Sequence, residues 1–386
     1  MAGMPPYEQI LASAALQAGT KDFGDESLYG PALRKLLAAV DDEAAVEPVR
    51  IWRSVVQWVS LLVSRAQISA LVAKHPEIRE VPIQRPIFVV GLPRTGTTLL
   101  HNLLACHPDL RAPKLWEMRN PVRPENAGPT WEEVAIKETQ SVLDLLYSTV
   151  PEFRAIHPMN ATWPDECSWL FRHSFATMVY AYTYRIPSYA AWLCEVDMAP
   201  YYEHFRLQLQ VLQWRDPSRR LVLKDPCHLW HLPALFSAFP DAEVVMLHRS
   251  LREALPSMAS LCFALQRVES AHQDPVAMGA YCMDLADRGL LPAMWFQRAV
   301  DSRQITNVAY RSLVADPIGT VQQICETVGT KSGDMAAARR WLTEHRQHGP
   351  GRHKYTLEQF GMDRAMVSRR FGRYEETYLP EDLQGT

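Results

Sequence analysis

Ile87-Phe88-Val89-Val90-Gly91-Leu92-Pro93-Arg94-Thr95-Gly96-Thr97-Thr98-Leu99-Leu100 is the stretch on which the fold turns. Its opening run is apolar and mostly β-branched, and Gly91 stops it, the pattern of a short strand buried on both faces. An apolar helix follows. A turn between such a strand and such a helix points backbone N–H groups and a helix N-terminus at one spot, a ready anion site to which the Thr97 and Thr98 hydroxyls add donors. The bland alternative is a turn with nothing bound. A loop of the form GxxxxGK[ST] would carry Lys after Gly96, where this chain has Thr97, so a nucleoside triphosphatase is disfavoured. The loop suits another phosphate-like group, for which Arg94 supplies the cation.

Upstream, residues 1–82 read as a helical N-terminal extension, with Leu33, Leu36, Leu37 and Val40, then Trp52, Val55, Val56, Val59, Leu62 and Val63 at three-to-four spacing. Downstream, Leu221–Lys224, Glu243–Leu247 and Ile305–Tyr310 read as further buried strands, each followed by helix-like sequence. Strand-helix alternation predicts an α/β domain over 83–386, a parallel sheet flanked by helices. A mostly helical insert spans about 131–214, dense in aromatic residues that form either ordinary core or an apolar acceptor pocket.

The 386 residues are 47% hydrophobic and 22% charged, which rules out disorder as the dominant state. A formal net charge of -3 gives no global basic field, so no nucleic-acid partner is expected and any anion site is local. The 32 Arg against 8 Lys reflect base composition more than ligand chemistry. Seven scattered cysteines with no CxxC pair predict reduced thiols in a cytoplasm and no zinc site. The N-terminus has no Lys or Arg before Lys21 and does not read as a signal peptide, and the apolar clusters, such as Trp58–Val63, are too short to span a bilayer.

A second feature joins the loop. Arg249 leaves the carboxyl end of the strand ending at Leu247, and Ser257 lies 257 − 249 = 8 residues on, in a following helix. The two could converge on one phosphate in the crevice where α/β sheets bind ligands. No acidic residue ends that strand to hold magnesium.

With these elements the sequence resembles the P-loop sulfotransferases that use 3′-phosphoadenosine 5′-phosphosulfate (PAPS). Pro93–Thr98 is similar to their phosphosulfate loop, with Arg as in the tyrosylprotein branch, and Arg249 with Ser257 to their 3′-phosphate element. Lys224-Asp225-Pro226, Phe239-Pro240 and Tyr310–Pro317 resemble further stretches of that branch and of a bacterial branch with a long helical N-terminus. The resemblance implies that Arg94, Thr95, Gly96, Thr97, Thr98 and Leu99 hold the 5′-phosphosulfate, Arg249 and Ser257 the 3′-phosphate, with Tyr310 near the nucleotide. It also implies that Lys224 stabilises charge on the sulfuryl group. Arg352 and Lys354, in the basic Gly349–Lys354 run, would cover the nucleotide. For the base that takes the acceptor's proton it points two ways: His228, four residues after Lys224, is favoured because its ordinary pKa suits the task, and Glu117, 117 − 94 = 23 residues past Arg94, is the other choice, with Glu166 in reserve. The implied reaction is metal-free sulfuryl transfer from PAPS to a hydroxyl or amine of a small, largely apolar acceptor. A metabolite kinase with a degenerate loop and a non-catalytic scaffold are the alternatives.

Overall fold

The structure is a computed structural model and describes residues 4–214, 217, 219–270, 273–330, 333–345 and 355–380. Five strands, β1 (Ile87–Gly91), β2 (Leu110–Arg111), β3 (Arg220–Lys224), β4 (Glu243–His248) and β5 (Ile305–Ala309), form one sheet in the order β2-β3-β1-β4-β5. All four pairings are parallel. The four strands read from the sequence are all present, and β2, only two residues long, is the addition. Register places Val89 beside Lys224 and Gly91 beside Leu247, so the ends of β3, β1 and β4 stand side by side. The order reverses at β1, which opens a crevice above its carboxyl end between β3 and β4.

The sheet is apolar on both faces because its residues alternate between two cores. Phe88, Val90, Leu221, Leu223, Val244 and Met246 face one side, and Ile87, Val89, Val222, Val245, Leu247 and Val308 the other. The second face is closed by the Thr97–Ala105, Pro317–Thr327 and Ala336–Glu344 helices. The first is covered by the Leu251–Gln266 and Pro275–Phe296 helices, by the helices between residues 131 and 214, and by those of the N-terminal region. Tyr7, Leu36 and Trp58 lie in the same continuous core as Phe88, so the N-terminal helices pack on the sheet assembly itself.

One sequence expectation changes here. The Pro48–Lys74 helix has 27 residues and contains an 18-residue window of mean hydropathy 1.4, long and apolar enough by length and composition to cross a bilayer. The apolar run looked too short because Arg53, Gln57, Ser60, Ser64, Arg65 and Gln67 interrupt it in sequence, while a helix averages over its length. Part of the helix is core, with Trp58 and Leu62 fully buried. The aromatic insert is mainly core as well: Phe175, Tyr189, Tyr202 and Phe205 are fully buried.

Candidate active site

The turn after β1 has an unusual backbone. Arg94 has φ 73 and Gly96 φ 95, both in the left-handed region, and a non-glycine residue held there stores about 1–3 kcal/mol that the surroundings must repay. Gly96 also needs its missing side chain, because a Cβ would sit 2.8 Å from the Tyr310 ring. Thr95 is fully buried, its hydroxyl donating to the Leu92 carbonyl at 2.7 Å, which closes the turn. Gly96 then caps the nine-residue Thr97–Ala105 helix, whose first N–H groups have no intrahelical acceptor.

Arg94 reaches across to the helix that follows β4 and to the insert. Its Nε donates to the Ser257 hydroxyl at 3.1 Å and a terminal nitrogen to the Ile156 carbonyl at 2.5 Å. Arg249 donates to the Arg94 carbonyl at 2.8 Å, stacks 4.4 Å over the Tyr310 ring and pairs with Glu253 at 2.9 Å. Burial lowers the Arg94 guanidinium pKa; Tyr355 opposes that effect and Arg249 adds to it. Arg94, Arg249, Ser257 and Tyr310, read from separate parts of the sequence, thus form one cationic cluster over β1 and β4. Arg352 and Lys354 lie outside the described residues, but Tyr355, just beyond them, is close enough to Arg94 to oppose the effect of its burial.

Over β3 the electrostatics differ. Lys224 is 1% exposed, and its ammonium donates to Glu166 at 2.7 Å and to the Thr98 hydroxyl at 3.3 Å, which ties β3 to the helix after the loop. Burial works against that charge, but Glu166 and Asp165 outweigh it and hold the ammonium above its ordinary range. Burial opposes ionisation of Glu166 too, yet Lys224 and His157 keep its pKa below the usual value. Asp225 is fully buried and pushed up to about 7 by burial and by Glu166. His157, half-buried, feels Glu166, Asp165, Lys224 and Arg94, which sets it between the two clusters; burial lowers its pKa.

The two proposed bases fall in different surroundings. Glu117 accepts from Arg111 at 2.7 Å and from the Lys114 N–H at 2.7 Å as the cap of the Leu115–Arg119 helix, and each oxygen keeps a lone pair. It lines a cavity of about 630 Å³ with Arg111, Trp116, Trp131, Trp163 and Trp214. Residues 161–167 connect this wall to Lys224: the Leu115 N–H donates to the Trp163 carbonyl, and the Cys167 N–H to the Lys224 carbonyl at 2.9 Å. His228 lies instead inside the core, 1% exposed, among Phe88, Phe171, Tyr202 and Phe205. Its Nδ1 is 2.7 Å from the Tyr202 hydroxyl, Nε2 is buried without a partner, and burial drives its pKa down to about 3. His228, the base favoured from the sequence, is thus an imidazole enclosed among rings and held towards its neutral form, whereas Glu117 opens on a cavity. Glu166, held in reserve from the sequence, is the carboxylate that pairs with Lys224, and the adjacent acids in Pro164-Asp165-Glu166-Cys167, within a long aromatic stretch, were its available signal.

A five-stranded parallel sheet with a cation-bearing crevice at its switch point is where an open α/β fold binds an anionic ligand. The chain belongs to the sulfotransferase family, whose model matches residues 86–334, and is a sulfotransferase of bacterial type. It is 25% identical over 319 residues to omega-hydroxy-beta-dihydromenaquinone-9 sulfotransferase Stf3 of Mycobacterium tuberculosis, covering 76% of this chain and 74% of that protein. The crystal structure of sulfotransferase STF1 from Mycobacterium tuberculosis is 33% identical, spans 97% of this chain and 100% of that one, and superposes with a TM-score of 0.85. Sulfotransferase STF9 from Mycobacterium avium, at 24% identity and 98% of both chains, shares the fold with a TM-score of 0.87.

Proposed function

We propose that the protein transfers a sulfuryl group from PAPS to the hydroxyl of a small, largely apolar acceptor without a metal ion. One observation carries this reading: the Arg94 loop, its helix N-terminus, Lys224 and the Arg249–Ser257 pair meet at adjacent strand ends, with cations where a nucleotide carrying both a phosphosulfate and a 3′-phosphate would need them. The loop N–H groups and Arg94 would hold the phosphosulfate, and Arg249 with Ser257 the 3′-phosphate.

In the transfer, the acceptor oxygen attacks sulfur in line as the bond from sulfur to the bridging phosphate oxygen breaks. Charge builds on the leaving phosphate of PAP, where Lys224, Thr98 and the loop stabilise it. The acceptor proton passes to Glu117, so the step yields a sulfate ester and PAP. The acceptor class is supported by the tryptophan-walled cavity on which Glu117 opens, and by a relative whose named acceptor is an omega-hydroxylated dihydromenaquinone. Seven unpaired cysteines suit work in a reducing cytoplasm.

The test is calorimetry of PAP binding with and without EDTA, followed by transfer of labelled sulfate from PAPS to a panel of hydroxylated apolar compounds. Binding that survives EDTA and labelled ester formation are expected. A strict metal requirement, or preference for ATP over PAP, would overturn the reading.

A further inference from the structure

The turn that carries Arg249 is gripped by a helix far along the chain. His248 ends β4, Ser250 stands before the Leu251–Gln266 helix, and the Ser250 side chain makes no capping bond to that helix. Glu375, on the Arg364–Tyr378 helix and 125 residues beyond Ser250, takes the capping role. One of its oxygens accepts from the Leu251 N–H at 2.8 Å and from the Ser250 hydroxyl at 3.1 Å. The carboxylate is 3% exposed. Burying it costs free energy that these bonds and the positive end of a 16-residue helix offset, and the first-turn donors of that helix gain an acceptor in return.

Tyr374 and Tyr378 hold the strand side of the same turn. The Tyr374 hydroxyl lies 2.9 Å from His248 Nδ1, and the Tyr378 ring stacks on the imidazole at 4.1 Å. His248 Nε2 lies 2.7 Å from the Asn307 side-chain oxygen on β5. Burial lowers the His248 pKa to about 4, so the ring is neutral; donating through Nε2, it accepts the Tyr374 hydroxyl at Nδ1. Beyond the turn, Arg252 donates to the Ser368 hydroxyl of the same helix at 3.1 Å. Residues on both sides of Arg249 are thus pinned to one helix, while the Arg249 guanidinium reaches the Arg94 carbonyl and Glu253.

The main chain at Arg249 decides where its guanidinium can reach, and a cation fixed in advance binds an anion at less cost than one that must be ordered on arrival. We propose that Glu375, with Tyr374, is a positioning residue for nucleotide binding: the Arg364–Tyr378 helix fixes the turn so that Arg249 is aimed at the 3′-phosphate, a reading that rests on the PAPS assignment. Neither residue touches the nucleotide in this arrangement. Both act through Arg249.

The test begins with calorimetry of PAP on the full-length parent; no binding there would overturn the PAPS reading and this inference with it. Glu375→Ala should weaken PAP roughly tenfold and raise KM for PAPS in step, with kcat at saturation within about twofold of the parent, and Glu375→Gln, which keeps an accepting oxygen, should recover most of the loss. The same substitution is then made in Arg249→Ala. With the guanidinium gone there is nothing left to aim, so Glu375→Ala should cost less than about twofold more. A cap that only stabilises the fold would cost the same factor in both backgrounds. Equal losses, or parent-like PAP affinity in Glu375→Ala, overturn the role of Glu375 and leave the PAPS reading standing. If Glu375→Ala does not fold, Tyr374→Phe, which removes a single oxygen, carries the same cycle, with a roughly threefold loss expected in the parent background and none in Arg249→Ala. Equal losses there, or no loss in either, overturn the proposal.

Discussion

The two sides of the crevice handle positive charge in opposite ways. Over β1 and β4, Arg94 is held by neutral oxygens of Ser257 and Ile156, and Arg249 by the Arg94 carbonyl and one half-exposed carboxylate, Glu253. Over β3, one buried ammonium, Lys224, is paired with Glu166 and has Asp165 and Asp225 near it. Guanidiniums bonded to neutral groups keep most of their charge available, which suits a standing site for a nucleotide anion. A compensated lysine costs less to bury and gives its charge to the substrate only when an incoming anion shares it with Glu166. Under the proposed function, the difference would separate binding, on the arginine side, from charge development during transfer, on the lysine side.

The largest expected effect follows from that separation. Lys224→Ala should lower kcat about 10²–10³-fold, the usual cost of losing one preorganised donor to developing charge, while PAP affinity changes less than roughly tenfold. Saturation kinetics paired with PAP calorimetry measure both. A PAP affinity that falls further than kcat would erase the distinction between the two sides.

A second pair of variants sharpens the lysine side. Glu117→Gln should cost about 10²-fold in kcat with PAP affinity retained, whereas His228→Asn should leave kcat within roughly threefold of the parent. The measurement needs acceptor and PAPS at saturation and chemistry shown to limit the rate. A large loss for His228→Asn, in a protein of unchanged Tm, would return the base to the sealed imidazole.

How these residues were read from sequence mirrors the same division. The arginine side was legible because its parts are local: a β-branched run, a glycine-bounded turn and an arginine leaving a strand each announce themselves within a few residues, and register brings Gly91 beside Leu247. The strands were legible for the same reason, except β2, whose two residues are too few to show a pattern. On the lysine side the chemistry is assembled from distant segments. Glu166 meets Lys224 58 residues later in the chain, and no spacing rule encodes that approach. Proximity in sequence to Lys224 says nothing of which way the His228 side chain turns. Residues 226–230 form a tight turn under the sheet, and this one puts His228 against Phe88 instead of in the crevice. The Pro48–Lys74 helix was undervalued because interruptions visible in sequence vanish when averaged over a continuous helix.

On the arginine side, Arg249→Ala removes a charge-assisted contact of about 1.5–3 kcal/mol, so PAP should bind roughly ten to a hundred times more weakly. The kcat at saturating PAPS should change little. Unchanged affinity would place the 3′-phosphate elsewhere and leave Arg249 a structural clasp on the Arg94 carbonyl.

The smallest effect tests whether the lysine side is strained by its excess of carboxyl groups. Asp225 is pushed up to about 7 in the folded protein by burial and by Glu166, against an ordinary value of 3.8 in the unfolded chain. Between those values the folded state holds a proton that the unfolded state has lost, so stability falls as pH rises from about 4 to about 7 and stays reduced above that. This is opposite to the behaviour of a salt-bridged carboxylate, whose contribution is lost on acidification. Asp225→Asn keeps the oxygen that accepts from the Cys227 N–H at 2.8 Å and removes the ionisable proton. The parent should therefore lose Tm between pH 5 and pH 8, relative to the variant, by about 2–6 °C if the strain amounts to roughly 1–2 kcal/mol. Scanning calorimetry of both proteins across that range measures the difference. Parallel curves would mean that Asp225 ionises at its ordinary pH, that its charge is tolerated beside Glu166, and that the two sides of the crevice differ in which cation they hold but not in electrostatic strain.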